Sequence, residues 1–265
     1  MSHTRSTTFK PLMVRGRRLG DDNAPAVCVP LVGSTRTGLL AEVKSLLPLQ
    51  PDVFEWRADH FEAQASLEAV TETALALRHA LGETPLIFTV RSAREGGAAH
   101  ALDEPAALRL TEKMATSTLF DFVDLELAVN ESALRAAIET ARQAGTQVIL
   151  SSHDFRATPP SVELLARLHR AKALGADVAK IAVMPADSAD VLRLLEVTRE
   201  ARNELDLPIV AMAMGPLGVV SRAVGHLFGS SMTFASGLSA SAPGQLPIAD
   251  LRQIFAILKA KNPPR

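Results

Sequence analysis

The 265-residue chain has a single cysteine, Cys28. One thiol excludes an internal disulfide and a zinc site built from several thiolates, and it fits a reducing cytoplasm. Neither sign of charge dominates: 28 Lys and Arg stand against 29 Asp and Glu, a formal net charge of -1. That balance gives no electrostatic basis for binding nucleic acid or an anionic membrane surface. No apolar run approaches the roughly 18–20 residues of a membrane span. The opening stretch MSHTRSTTFK is polar and lacks the apolar centre of a secretory signal. Phosphate-binding glycine patterns are missing too: REGGAAH pairs two glycines without dinucleotide spacing or a following Lys-Ser/Thr.

What the chain does contain is alternation. Short β-rich runs occur at 26–33, 52–59, 85–91, 120–127, 146–152, 177–184, 208–214 and 230–235. Between them, stretches such as ASLEAVTETALALRHAL and SVELLARLHRAKAL place apolar residues at helical spacing. Asn130 precedes one such segment as a start signal, and Gly145 and Gly175 follow others as stops. Eight strand-then-helix units in about 250 residues predict a closed (β/α)8 TIM barrel. The residues before the first barrel strand, TTFKPLMVRGRRLG, are expected to form a hairpin closing the barrel floor. The expected organisation is thus a tail and hairpin over 1–22 and one catalytic barrel over 23–265.

The strands carry charges where a buried strand should have none. In DVFEWRAD, Phe54, Trp56 and Ala58 share one face, and Glu55 and Arg57 the other. If the apolar face meets the helices, Glu55 and Arg57 point into the barrel, where charges need partners. On this strand alone a structural Glu–Arg pair would suffice. The pattern recurs, however, with Arg91 and Glu95, Asp124 and Glu126, His153 and Asp154, Lys180, and Arg222. All fall near the C-terminal ends of strands, where active sites of this architecture lie.

Lys180 shares its face with Val178, Ala182 and Met184. Lost hydration and the nearby cations Arg91 and Arg222 are expected to favour its neutral amine, which attacks carbonyl carbon to form an imine. His153 is the candidate proton shuttle. Arg57, Arg91 and Arg222 suit an anionic, hydroxylated small molecule. Glu55, Glu126, His153 and Asp154 are also metal-ligating types, so a metal-dependent hydrolase is an alternative that residue types leave open.

EWRADHF, FTVRSAREGG, FDFVDLEL, SSHDF, KIAVMP, AMAMGPLGVVSR, FGSSMTFA and SAPGQLPIADL occur in this order. Together they resemble the type I 3-dehydroquinate dehydratases of the shikimate pathway, over about residues 14 to 260. The resemblance implies that Lys180 forms an imine with the ketone of 3-dehydroquinate, that His153 is the general base and acid, and that Glu95 supports His153. It implies that Arg222 grips the substrate carboxylate near Ser241 and Gln245. Glu55, Arg57 and Arg91 would surround the ring hydroxyls, with Met212 and Met214 along the pocket. ASGLSASAPGQ, residues 235 to 245, is expected to close over the substrate. No cofactor and no metal are implied, because the lysine itself supplies the electron sink; a homodimer is. Pro30 stands where some members have a serine, and MSHTRSTT has no counterpart. Another imine-forming aldolase-type barrel and a non-catalytic quinate-binding relative are the remaining alternatives.

Overall fold

Alternation of side chains along eight buried strands decides the architecture. A computed structural model describes residues 10–21, 24–99 and 102–261; the tail MSHTRSTT and the boundary at residue 22 lie outside them. Two short antiparallel strands come first, β1 (Leu12–Val14) and β2 (Arg17–Leu19). Then follow β3 (Ala26–Leu31), α1 (Arg36–Leu46), β4 (Val53–Arg57), α2 (Leu67–Leu81), β5 (Leu86–Thr89) and α3 (Glu104–Ala115). Next come β6 (Phe122–Glu126), α4 (Glu131–Gln143), β7 (Gln147–Asp154), α5 (Ser161–Leu174) and β8 (Val178–Val183). The chain continues through α6 (Ser188–Glu204), β9 (Ile209–Ala213), α7 (Gly215–Phe228), β10 (Met232–Phe234) and α8 (Ile248–Lys261).

The parallel sheet runs β10-β3-β4-β5-β6-β7-β8-β9. A bridge between Ile209 and Ser230 brings its two ends together, with Ser231 N donating to Ile209 O at 2.7 Å. The outcome is the (β/α)8 barrel that the alternation predicts. Every expected strand is present, in most cases shorter by one to three residues at its ends, where side chains such as Asp52 and Ser230 bond to neighbouring backbone N–H groups instead of extending the ladder.

Two separate apolar clusters follow from strand parity. Val29, Phe54, Trp56, Phe88, Val123, Leu150 and Ile181 face the helices. Cys28, Val53, Ile87, Phe122, Ile149, Val178, Val210 and Met232 face inward, one from each strand, and Leu12 and Val14 of the hairpin join them. The hairpin therefore completes the apolar floor from below. Helix ends obey local chemistry: Asn130 accepts from Ser132 N and Ala133 N ahead of α4, and Gly175 ends α5 at φ 95°, a left-handed conformation that glycine adopts freely. Among the described residues no helix is long and apolar enough to cross a membrane.

Helix α7 departs from the apolar pattern. Its buried face is Gly218, Ser221, Arg222, Gly225 and His226. A Cβ on Gly218 would lie 2.3 Å from the Ala213 carbonyl, so this helix sits unusually close to β9. His226 packs edge-on against Phe255 at 5.2 Å, and both its ring nitrogens are buried without a hydrogen-bond partner. Burial lowers its pKa from 6.5 to about 4. The unfolded chain then binds the proton first, so this contribution to stability is present above about pH 6.5 and lost as pH falls towards 4. Across that window the loss should reach about 3 kcal/mol. Replacing His226 by Leu should flatten this acid-side decline, measured by urea unfolding near neutral pH and near pH 4.

Candidate active site

Above the apolar floor, the inward positions change from hydrocarbon to charge. Register sets Glu126, Ser151 and Lys180 side by side on β6, β7 and β8. Lys180 is buried, with Nζ 3.0 Å from Asp124 Oδ2, 3.7 Å from Glu55 Oε1 and 4.4 Å from the centre of the Phe234 ring. Its nearest ionic neighbours are therefore carboxylates. The expected cation Arg91 is near but separated by one carboxylate: it reaches the opposite oxygen of the same Asp124, Nη2 to Oδ1, at 2.8 Å. Ser151 Oγ donates to that oxygen as well, at 2.6 Å. Burial alone would raise the Asp124 carboxyl, but Arg91 and Lys180 together hold it below the usual carboxylate range.

The other arginines divide into two kinds. Arg57 forks onto Asp59, Nε to Oδ1 and Nη2 to Oδ2, both at 2.8 Å. A structural Glu55–Arg57 pair is thus not what forms; Glu55 instead accepts from Thr89 Oγ1 at 2.9 Å. Asp59 is fully enclosed and also accepts from Ala98 N at 3.0 Å, tying the loop after β5 to β4. Arg91 is held by Asp124 and, at 3.3 Å, by Glu126. Arg222 differs. It is 1% exposed, and its hydrogen bonds go to neutral acceptors: Met212 Sδ and the Phe234 carbonyl at 3.4 Å each, and the Pro243 carbonyl at 3.2 Å. Its Nε has no partner at all, and burial lowers its pKa to about 10. A buried guanidinium without a carboxylate is costly, and an anion beside it would relieve that cost.

His153 ends β7 and meets Glu95 twice: its backbone N donates to Glu95 Oε2 at 3.0 Å, and Nδ1 lies 2.8 Å from the same oxygen. With the carboxylate as acceptor, Nδ1 carries the hydrogen and Nε2 keeps its lone pair. Burial, then the charges of Arg91, Lys180 and Arg57, push the imidazole well below its ordinary value, so it is neutral near pH 7. Burial and the neighbouring Glu126 raise Glu95 to about 7, against the pull of Arg91. The histidine thus brings a neutral ring to the pocket, beside a carboxyl that titrates near neutrality.

One pocket gathers these groups. Glu55, Arg57, Arg91, Glu95, His153, Lys180, Met212, Met214, Arg222, Ser241 and Gln245 all line a space of about 450 Å³, part of it open to solvent. The residues named as imine-forming, proton-transferring and substrate-contacting are therefore in one place, whereas Asp124 and Glu126 sit behind it as partners of its cations. Ser241 and Gln245 are fastened to each other, Gln245 Oε1 accepting from Ser241 N at 2.8 Å and Nε2 donating to Ser241 Oγ at 3.0 Å. Asp154, counted among the rim charges, is not part of this set: it turns outward and accepts from Arg156 N and Ala157 N, both at 3.0 Å. Among the described residues no group of three or more His, Cys, Asp or Glu comes together as a metal-holding cluster.

Sequence reasoning missed several contributors. Phe155, Phe234 and Gly96 also line the pocket. Asp59 and Asp124 hold its cations, and Asp124 was visible only as one inward charge among many. Gly96, at φ 84°, lets the loop bearing Glu95 pass under Phe155: an added Cβ would lie 2.2 Å from that ring. Gly96→Ala should therefore cost about 1–3 kcal/mol of stability in urea unfolding. It should also part Glu95 from His153, seen by NMR as a changed titration of that imidazole.

Comparison with known proteins agrees with this geometry. The family model described as type I 3-dehydroquinase matches residues 27–262. The 3-dehydroquinate dehydratase of Geobacillus kaustophilus is 44% identical over 250 residues, covering 94% of this chain and 96% of that protein. The enzyme of the same name from Aromatoleum aromaticum is 41% identical, covering 98% of both. A crystal structure of the Geobacillus kaustophilus enzyme superposes with a TM-score of 0.92 at 42% identity, covering 96% of this chain and 98% of that one. The type I enzyme of Clostridium difficile, solved with covalently modified comenic acid, gives a TM-score of 0.91 at 35% identity, with 96% and 100% covered. A match over nearly the whole chain, on a barrel carrying a buried lysine, a carboxylate-held histidine and an unmatched arginine, shows that the chain belongs to the type I 3-dehydroquinase family.

Proposed function

We propose that the chain dehydrates 3-dehydroquinate to 3-dehydroshikimate in the shikimate pathway of aromatic amino-acid biosynthesis, through an imine on Lys180. The observation that carries this reading is Arg222, a buried cation with no anionic partner, in the same pocket as the one buried lysine and the neutral histidine among the described residues. A small carboxylate seated on Arg222 supplies the missing charge and leaves the rest of its ring in reach of Lys180 and His153.

In this reading the neutral Lys180 amine attacks the C3 carbonyl carbon. A nitrogen–carbon bond forms, the carbonyl pair moves to oxygen, and that oxygen leaves as water. The resulting iminium draws electrons from C2, and His153 takes the C2 proton through Nε2. The C–H pair becomes an enamine double bond. Its return expels the C1 hydroxyl, which takes the proton from His153 and departs as water. Hydrolysis of the conjugated iminium releases the enone and regenerates the lysine. No cofactor or metal is required for this sequence, since the imine nitrogen is the electron sink. Glu95 orients His153 and supports it as the imidazolium forms.

Around the ring, Glu55 accepts from a hydroxyl, and Arg57 and Arg91 offer the N–H groups that their carboxylate partners leave free. Met212 and Met214 give the apolar wall, and Ser241 and Gln245 the polar edge. Residues 235 to 245 act as the closing segment that excludes water from the imine. The reading extends to residues 23–265 as one catalytic domain, with 1–22 as tail and hairpin, and to a cytoplasmic homodimer. Support for pairing comes from α7, whose outer face leaves Leu217, Val220 and Leu227 exposed at 45%, 53% and 47%.

Borohydride reduction in the presence of 3-dehydroquinate, followed by peptide mapping, is expected to leave one substrate-derived adduct on Lys180. Turnover without an adduct would overturn the imine. Lys180→Ala should abolish both the adduct and the rise in ultraviolet absorbance of the enone product. His153→Ala should keep the adduct while slowing turnover by about 10²- to 10⁴-fold. Arg222→Ala should chiefly raise KM if the carboxylate is held equally in ground and transition states; an unchanged KM would remove its assigned role.

A further inference from the structure

The mechanism above assigns no part to Asp124, although this carboxylate is closer to the reacting nitrogen than any other ionised group. It is 4% exposed, with Oδ2 3.0 Å from Lys180 Nζ. Its other oxygen is locked by Arg91 Nη2 at 2.8 Å and Ser151 Oγ at 2.6 Å. We infer that Asp124 is the fixed counter-ion of the Lys180 nitrogen and keeps it protonated while it carries substrate, setting the alkaline limit of the reaction. This inference rests on the imine reading and adds to it a residue that determines whether the imine works.

The charge balance makes the requirement explicit. A lysine ammonium and a ketone give an iminium and water: two N–H protons leave with the carbonyl oxygen, and the nitrogen keeps one hydrogen and its positive charge. A neutral imine, lacking that hydrogen, has no charge with which to withdraw electrons from C2. The nitrogen is buried in a pocket that also holds Arg57, Arg91 and Arg222, so a positive charge placed on it needs a partner. Among the described residues two carboxylates come within 4 Å of the nitrogen, Asp124 at 3.0 Å and Glu55 at 3.7 Å, and Glu55 also serves Thr89. On the opposite side, the Phe234 ring face at 4.4 Å favours a cation in the same place.

Asp124 is not suited to be a base for the lysine. Arg91 and Lys180 overcome the effect of burial and keep its carboxyl low, so it remains ionised throughout. The proton that Lys180 must shed before attack goes to a group that can take one, and the neutral His153 lines the same pocket. Glu95 titrates near 7 beside His153, and Cys28 beneath the lysine is pushed well above its ordinary value by burial and stays a thiol. Neither replaces the fixed negative charge of Asp124. Lying two strands from Lys180, it spans β7 beside Ser151 and so restrains the nitrogen in position as well as in charge.

The test compares pH profiles of the full chain with 3-dehydroquinate, together with cyanoborohydride trapping at each pH. Asp124→Asn, nearly isosteric but uncharged, is expected to move the alkaline limb of kcat to lower pH by about one unit or more. Trapped adduct should fall over the same range, with KM changing less than kcat. Asp124→Glu, which restores the charge, should return the limb to its wild-type position even if the rate is reduced. A merely structural role would lower the rate and leave the limb in place, and a folded Asn variant with an unmoved limb overturns the inference. If circular dichroism shows that the Asn variant does not fold, Ser151→Ala removes one of the donors that fix the carboxylate. It should move the limb the same way by a smaller step, and an unmoved limb there also overturns the inference. Absence of a Lys180 adduct in the wild-type protein is a separate result, which would defeat the imine reading itself.

Discussion

A charge inside a ring of β-strands is stable only beside an opposite charge, and the upper half of this barrel is organised by that requirement. Asp124 lies between Lys180 and Arg91, Glu126 holds Arg91 and the start of the following loop, and Asp59 holds Arg57. Removing one partner from such a buried pair commonly costs about 3–5 kcal/mol, because the other charge is left stranded without water. The pairs therefore fix the geometry of the pocket before any substrate arrives. Arg222 alone departs from the rule among the arginines facing the pocket, and that departure leaves one buried positive charge without a carboxylate.

The same barrel separates stability from chemistry by height. Inward residues at the floor are hydrocarbon, closed by Leu12 and Val14 from the hairpin. One pleat higher on the same strands they become Glu55, Asp124, Ser151 and Lys180. Aromatic packing of Trp56 with Phe61, Phe88 and Phe120 stays outside the strands, under the helices. A side chain's parity thus decides its medium, and its level along the strand decides whether it stabilises or reacts.

This explains what the sequence could disclose. Period-two alternation in DVFEWRAD places Glu55 and Arg57 inside because Phe54 and Trp56 need the helix layer. The same reasoning brings Lys180 inward. Parity does not reveal partners, since those depend on stagger between strands and on loops. Asp59 lies beyond the end of its strand, and nothing in ADH announces that it will fork onto Arg57. Asp124 and Asp154 look alike as strand aspartates, yet one is two residues above Phe122 on the inner face and the other turns outward to cap a bend. Gly96 reads as a flexible loop residue, whereas its place beneath Phe155 is visible only once both loops are folded. Family resemblance assigns roles to Lys180, His153 and Arg222, but it could not show that Arg222 is starved of counter-charge.

The Pro243 carbonyl accepts from Arg222 Nη2 and from Gly215 N, each at 3.2 Å. Those two bonds latch the segment after β10 to the first turn of α7. One of the two N–H groups that hold the latch belongs to the guanidinium that also lines the pocket. The Arg222 guanidinium thus serves both the pocket it lines and the segment it holds, through a single peptide carbonyl. Gly244, whose Cβ would lie 2.3 Å from Gly215 O, leaves no room for a bulkier hinge at that spot. Pocket and segment are joined here by one hydrogen bond, without any relay across the barrel.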